Sequence, residues 1–517
     1  MLNSKIKRPS HQELVDKANE SVESVKEVVA KDPQRCAYHF MAPAYWINDP
    51  NGLIYFRGEY HLFYQHNPYG PLWGAMHWGH AKSKDLVHWE YLPIALAPSE
   101  DYDYHERGGC FSGSAVDDNG LFTLIYTGTV LEKDGQVKQV QCVATSTDGI
   151  TFTKYPGNPV INQPPVDGSS DFRDPKVWKH HDTWYMVVGS CKNGKGKALL
   201  YKSLDLRNWD YVGVLAESDG TKGTMWECPD FFPLGDKYVL IVSPMGMDNH
   251  KVIYMVGNMD YGTGRFTSDR YEEVDYGFDF YAPQTFLDGQ GRRIMIGWMN
   301  SWDWMPWFKS FGPTVTNNWC GIMSVPRVLS LDSDGRLIFQ PVEELKSLRR
   351  QHRQFKDFEI VQDSSNILGD FKGNCLEVIG EFDLNSCNAN EFGFKLRCSS
   401  DGKEQTYVKY NTKAKELIFV RNKLDASSEE IRRCKVEISN NKTLKLHIFI
   451  DRISVEVFVN EGKVVMSSNI YPSPSSQGID IFSHGGTVKM ISLDVWQLKS
   501  IWQEDKSCTI SLHRESF

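Results

Sequence analysis

Residues 49–65 read DPNGLIYFRGEYHLFYQ: a polar corner, an apolar strand, a glycine turn and a second, aromatic strand. Taken alone, Asp-Pro-Asn-Gly is ordinary turn chemistry, because Pro presets φ and Asn-Gly tolerates positive φ. What decides the fold is that the layout recurs. It returns as SGSAVDDNGLFTLIYTG (112–128), DPKVWKHHDTWYMVVGS (174–190), CPDFFPLGDKYVLIVS (228–243) and APQTFLDGQGRRIMIGW (282–298). Aligned on Pro50, Gly113, Pro175, Pro229 and Pro283, successive starts lie 63, 62, 54 and 54 residues apart. A second signature falls between them: SKDLVHW (83–89), STDGITF (146–152) and SLDLRNW (203–209) share Ser-x-Asp with an aromatic four residues after the Asp. Several strands in each of five units, with a period of about 55 to 60 residues, predict a five-bladed β-propeller over residues 36–340.

In a propeller the first strand of each blade runs along the central channel, so equivalent starts meet at one end of it. Asp49 and Asp174 each stand one residue before the aligned Pro, and Glu227, in MWECPDFF (225–232), stands one residue further upstream. A one-residue slip in a strand reverses its facing, so the sequence leaves the direction of Glu227 open. Carboxylates that converge repel one another, and are retained for metal binding, pairing with cations or acid–base work. Calcium would want six to eight oxygens where these starts bring Pro and aromatics. A protein-binding propeller needs no convergent acids. Glycoside hydrolysis needs two carboxylates across a sugar, with aromatics to hold it, and the Trp, Tyr and Phe around these starts fit that reading.

The bulk numbers agree with a globular enzyme. The chain has 517 residues, 41% hydrophobic and 13% aromatic, with a formal net charge of −9. That balance, with no basic run, argues against nucleic acid or an anionic membrane as partner. The N-terminal stretch has no apolar core of a secretory signal, and no 18-residue apolar run suggests a membrane span. Eleven scattered cysteines without a C-x-x-C pair fit free thiols in the cytoplasm, and give no zinc site. Residues 11–30 carry Leu14, Ala18, Val22, Val25 and Val29 at helical spacing, within an N-terminal extension over 1–35. PVEELKSLRRQHRQF (341–355) reads as a short helical linker, set at 341–356. From 357 to 517, alternating stretches such as CLEVIGEFDL, KLHIFI and VKMISLDVW predict a β-sandwich of eight or more strands. It is read as structural support, with sugar binding or homodimer formation as lesser roles. The expected fold class is therefore all-β.

WINDPNG (46–52), FYQHNP (63–68), FSGSAV (111–116), FRDPKV (172–177) and WECPDFF (226–232), in this order, resemble glycoside hydrolase family 32, the invertases, inulinases and levanases. LHIFIDRISVEVFVNEG (446–462) resembles that family's C-terminal sandwich. The resemblance implies retaining chemistry, release of terminal β-D-fructofuranosyl units from sucrose or short fructooligosaccharides, and no cofactor or metal. Matched by motif, Asp49 corresponds to the nucleophile, Glu227 to the general acid/base and Asp174 to the transition-state stabiliser. Asn48, Gln65, Trp73, Phe111, Ser112, Arg173 and Trp298 match the substrate pocket. Each has a structural alternative: Asn48 as a turn former, Ser112 as a backbone cap, Trp298 as core. Cys228 reads equally as a tuning thiol or a small buried hydrophobe, and His77 and His80 read as core histidines. A sucrose-6-phosphate hydrolase is the close alternative. A sugar-binding propeller without catalysis is the alternative of another class, and the intact acids argue against it.

Overall fold

A computed structural model describes residues 8–363, 365–422, 429–438 and 441–502. Helix α1 (His11–Val29) starts at Ser10, whose hydroxyl accepts from Glu13 N while the Glu13 carboxylate accepts from Ser10 N. This reciprocal cap satisfies donors the first turn leaves open. Val15 and Ala18 on its buried face pack on Ile94 and Ala97. Asn19 and His11 accept hydrogen bonds from Ile94 N and Ala97 N, so the helix covers backbone donors that an outer strand would leave bare.

Five antiparallel sheets follow. Their first strands are Tyr45–Phe56, Gly109–Asp118, Phe172–His180, Met225–Leu234 and Tyr281–Leu287. Each packs against the next and the fifth returns to the first, which closes a five-bladed propeller around a channel. The ring is locked by a short strand from the last unit, Trp319–Cys320, that joins the first sheet in parallel with Tyr45 and Trp46.

Every one of the five inner strands slips register against its neighbour at the aligned position. The breaks fall between Ile47 and Pro50, Phe111 and Gly113, Arg173 and Lys176, Glu227 and Asp230, and Tyr281 and Gln284. Such β-bulges put an extra residue on one strand and re-aim side chains. In three blades the bulge residue is left-handed: Asp174, Cys228 and Ala282 have φ of 66°, 47° and 48°. Non-glycine residues hold that conformation at a cost of about 1 kcal/mol or more.

The chain then forms a sandwich of a six-stranded and a five-stranded sheet around a core that includes Phe382, Phe394, Ile448 and Leu493. The stretch read as a helical linker is only partly that. A 3-10 turn spans Glu343–Leu348, burying Leu345 and Leu348, and Arg349–Ile360 is a strand that pairs with Val488–Leu498 at the edge of the six-stranded sheet. Its exposed, cationic face hid the strand, since an edge strand shows no buried alternation.

Propeller and sandwich meet across a buried charge network. Arg327 pairs with Asp275 and Glu456, and Ser467 Oγ donates to Asp275. His39 contacts Asp451 through Nδ1 (2.9 Å) and Glu456 through Nε2 (3.0 Å). Cys36, His39 and Asp451 lie close enough to suggest a metal group, but both imidazole nitrogens already face carboxylates. The arrangement is an ion-paired joint.

Candidate active site

The bulges sort the funnel into two tiers. One residue before the aligned position stand Asp49, Ser112, Asp174, Cys228 and Ala282; two residues before it stand Asn48, Phe111, Arg173, Glu227 and Tyr281. In a regular strand, adjacent side chains point to opposite faces. The extra residue in each inner strand breaks that alternation, and both tiers are joined by hydrogen bonds across the blades.

In the first tier, Ser112 Oγ donates to Asp49 Oδ2 (2.7 Å) and Asn48 Nδ2 donates to Asp49 Oδ1 (3.0 Å). The Cys228 thiol lies 3.5 Å from both Asp49 Oδ2 and Asp174 Oδ2, and Cys228 N donates to Asp174 Oδ2 (2.9 Å). Burial pushes the Asp49 carboxyl up, against the pull of the Ser112 and Asn48 donors, and its balance is a raised pKa. Burial also lifts Asp174, to about 7, with Arg173 pulling down and the charges of Glu227 and Asp49 pushing up. A thiol has one proton, so Cys228 can donate to only one of its two carboxylates at a time. A proton held on Asp174 near neutral pH relieves that conflict.

In the second tier, Arg173 donates to Glu227 Oε1 through Nε (3.1 Å) and Nη2 (2.9 Å), and to Asp171 through Nη1 (2.7 Å). Gln139 Oε1 also accepts from Arg173 Nη1 (3.3 Å). Tyr281 donates its hydroxyl proton to Glu227 Oε2 at 2.6 Å. The Glu227 carboxylate is thus gripped from the blades on either side. At the position after the aligned residue, Lys176 and Asp230, both buried, pair at 3.2 Å.

The expected pocket residues divide. Asn48 ties the nucleophile-matched Asp49 to Trp46, whose indole donates to Asn48 Oδ1 (2.7 Å). Gln65 is buried and donates to Cys110 O (2.9 Å), next to Phe111. Trp73 and Phe111 meet edge to face and both keep partial exposure. Trp298 stands further back. It is 0% exposed and lies behind Trp46 and Trp302, with ring centroids 5.7 and 5.1 Å away, so it supports the aromatic wall and offers no face to a ligand. The exposed aromatic edge belongs to Trp302 and Trp304, stacked 5.2 Å apart, with Tyr281 against Trp304. These three were missed from sequence, although Tyr281 shares the register of Arg173 and Glu227. His80 stacks on Phe63 at 3.9 Å and contacts His61, and burial pushes His77 down to about 3 and His80 well below its ordinary value. Both are core.

Residues 39–341 match the profile of the Glycosyl hydrolases family 32 N-terminal domain, and residues 344–497 that of the Glycosyl hydrolases family 32 C terminal. The chain belongs to glycoside hydrolase family 32. A sucrose-6-phosphate hydrolase of Escherichia coli is 41% identical over 475 residues, covering 89% of this chain and 94% of the relative. A raffinose invertase of the same organism is 40% identical, with the same coverage. Among solved structures, the Bombyx mori GH32 beta-fructofuranosidase BmSUC1 superposes with a TM-score of 0.81 at 34% identity, covering 95% of this chain and 99% of that one. A family 32 hydrolase fits the funnel's chemistry: acids held by donors, one arginine and an aromatic rim. No helix among the described residues is long and apolar enough to cross a membrane.

Proposed function

We propose that this chain is a retaining β-fructofuranosidase in which Asp49 is the nucleophile, Glu227 the general acid/base and Asp174 the stabiliser of the transition state. The observation that carries the assignment is the division of labour between the tiers. Asp49 has a ready set of donors for its charge in Ser112 and Asn48, as a carboxylate nucleophile needs. Glu227 is held in one orientation by Arg173 and Tyr281, as a proton donor needs.

In the first step an Asp49 oxygen forms a bond to the anomeric carbon of the fructosyl unit while the glycosidic bond breaks. Glu227 gives its proton to the departing oxygen. Glu227, now a carboxylate, takes a proton from water, whose oxygen attacks the anomeric carbon and releases Asp49. Asp174 accepts hydrogen bonds from sugar hydroxyls, which strengthen as positive charge develops on the ring. Asn48, Phe111, Ser112, Arg173 and Trp73 line the sugar, with Trp302 and Trp304 at the leaving-group side.

The substrate is sucrose or a short fructooligosaccharide. A preference for sucrose 6-phosphate is the second reading, supported by the name of the Escherichia coli relative. A cytoplasmic location goes with it and is supported by ten free thiols among the described residues. The test is a panel of sucrose, sucrose 6-phosphate, kestose, inulin and levan, with the first-formed fructose anomer followed by NMR. β-Fructofuranose as first product supports retention; the α anomer sinks the covalent mechanism.

A further inference from the structure

Away from the funnel, a cavity of about 660 Å³ opens between helix α1, the outer strands of the first blade and the C-terminal end of the sandwich. That volume is in the range of small-molecule sites. Its walls are mostly apolar, from Val22, Met41 and Ile94, and one side is the stacked pair Tyr91 and Trp502, with ring planes 4° apart. Two buried donors in this lining have no partner: Nη1 of Arg35 and Nε1 of Trp502.

Arg35 is the informative group. It is 7% exposed, its Nη2 donates to Ala42 O (2.8 Å) and its guanidinium lies over the Trp319 ring, yet no carboxylate pairs with it among the described residues. Arg452 also reaches this cavity and spends one donor on Arg35 O. A buried cation without a paired carboxylate bears a desolvation penalty; burial here lowers the guanidinium pKa, and Tyr91, Cys36 and Asp32 only partly offset it. Such a cation in the wall of an apolar cavity, with a second idle donor in the same lining, is suited to an anion that arrives from solution. On the rim, Lys26 is paired with Glu23 at 2.7 Å, and Glu27 adds a further acid. This balance disfavours multiply charged ligands.

We infer that this cavity is a binding site for a small organic monoanion, a carboxylate on an apolar or aromatic body, with the carboxylate on Arg35 and Trp502 Nε1 and the body against Tyr91 and Ile94. The site is separate from the fructosyl funnel, and its test does not depend on the fructosidase reading.

Benzoate is the probe, with benzyl alcohol as its neutral counterpart. Calorimetric titration of the full chain is expected to show one saturable benzoate site and binding of benzyl alcohol about tenfold or more weaker, a difference in line with a charge-assisted hydrogen bond. A crystal soaked in benzoate is expected to place the carboxylate on Arg35. Arg35→Gln is expected to weaken benzoate about tenfold. Because that change touches a buried turn, Ala30→Trp at the exposed mouth provides a second variant; it is expected to block benzoate while sucrose turnover stays unchanged. Equal affinity for the acid and the alcohol, benzoate seated in the funnel instead, or full binding by both variants would overturn the inference. So would binding that appears only after the chain is shortened beyond Trp502, since residues 503–517, with Glu504 and Asp505, would then be the occupant.

Discussion

Tyr281 and Glu227 occupy the same register position in neighbouring blades, and the tyrosine hydroxyl donates to the glutamate across 2.6 Å. Arg173 holds the other oxygen from the blade before. Tyr281→Phe keeps the ring and removes only the donor. Its kcat on sucrose is expected to fall about ten- to a hundredfold, with a smaller loss on p-nitrophenyl β-fructofuranoside, whose leaving group needs little protonation. Equal losses on both substrates would mean that the hydroxyl does not serve proton delivery.

Asp49→Ala is expected to reduce turnover by about 10⁴-fold or more and to leave the fold intact. The carboxylate is buried with a raised pKa, so its loss removes a destabilising charge along with the proposed nucleophile. Thermal melting alongside single-turnover kinetics checks both halves. Activity within tenfold of the parent would remove Asp49 from the mechanism.

Asp174 links the site to stability. Its pKa rises from an ordinary 3.8 to about 7 in the folded protein, so the folded state binds the proton more tightly than the unfolded chain does. Folding is therefore penalised above pH 7, by ~4 kcal/mol at most, and the penalty disappears as pH falls towards 4. Asp174→Asn is expected to melt several degrees higher than the parent at pH 8, with the gain gone at pH 4, while activity collapses. A gain that does not depend on pH would contradict this.

The joint between the domains also loses stability as pH rises, but there the protonated state is a stabilising ion pair and the window lies higher. Burial alone would lower His39, but its bonds to Asp451 and Glu456 outweigh that and lift it to about 9. A histidine raised in this way stabilises the fold fully below pH 6.5 and loses that contribution as pH rises through 9, a change of ~3 kcal/mol. Urea melts of the parent and His39→Gln are expected to diverge at pH 6 and converge near pH 10. Parallel curves across that range would show that His39 carries no charge in the joint.

Much of this architecture was legible in the residues. The Pro-aligned starts disclosed five blades and placed Asp49 and Asp174 in one ring. The facing of Glu227 was not legible, because it depends on the bulges, and nothing in Glu-Cys-Pro announces that Cys228 adopts a φ of 47°. Tyr281 was hidden for the same reason. Trp298 read as a pocket residue because a tryptophan near a strand end fits wall and core alike; only the positions of Trp46 and Trp302 decide between them. The strand Arg349–Ile360 needs a partner some 140 residues away, and its local pattern of Val342, Leu345 and Leu348 belongs to the turn before it. Local chemistry was readable where the chain repeats itself, and unreadable where distant segments set the answer.

The parallel pairing of Tyr45 and Trp46 with Trp319 and Cys320 has a consequence for synthesis. The flank of the strand that carries Asp49 stays bare until a segment more than 270 residues later has been translated. Long-range pairing of this kind is slow, and it leaves strand edges open to wrong partners in the meantime. The nascent chain therefore carries Asp49 on an unfinished sheet until Trp319 and Cys320 have been made. A chain cut short between Glu227 and Trp319 would hold all three acids and still lack the clasp that joins the last unit to the first sheet.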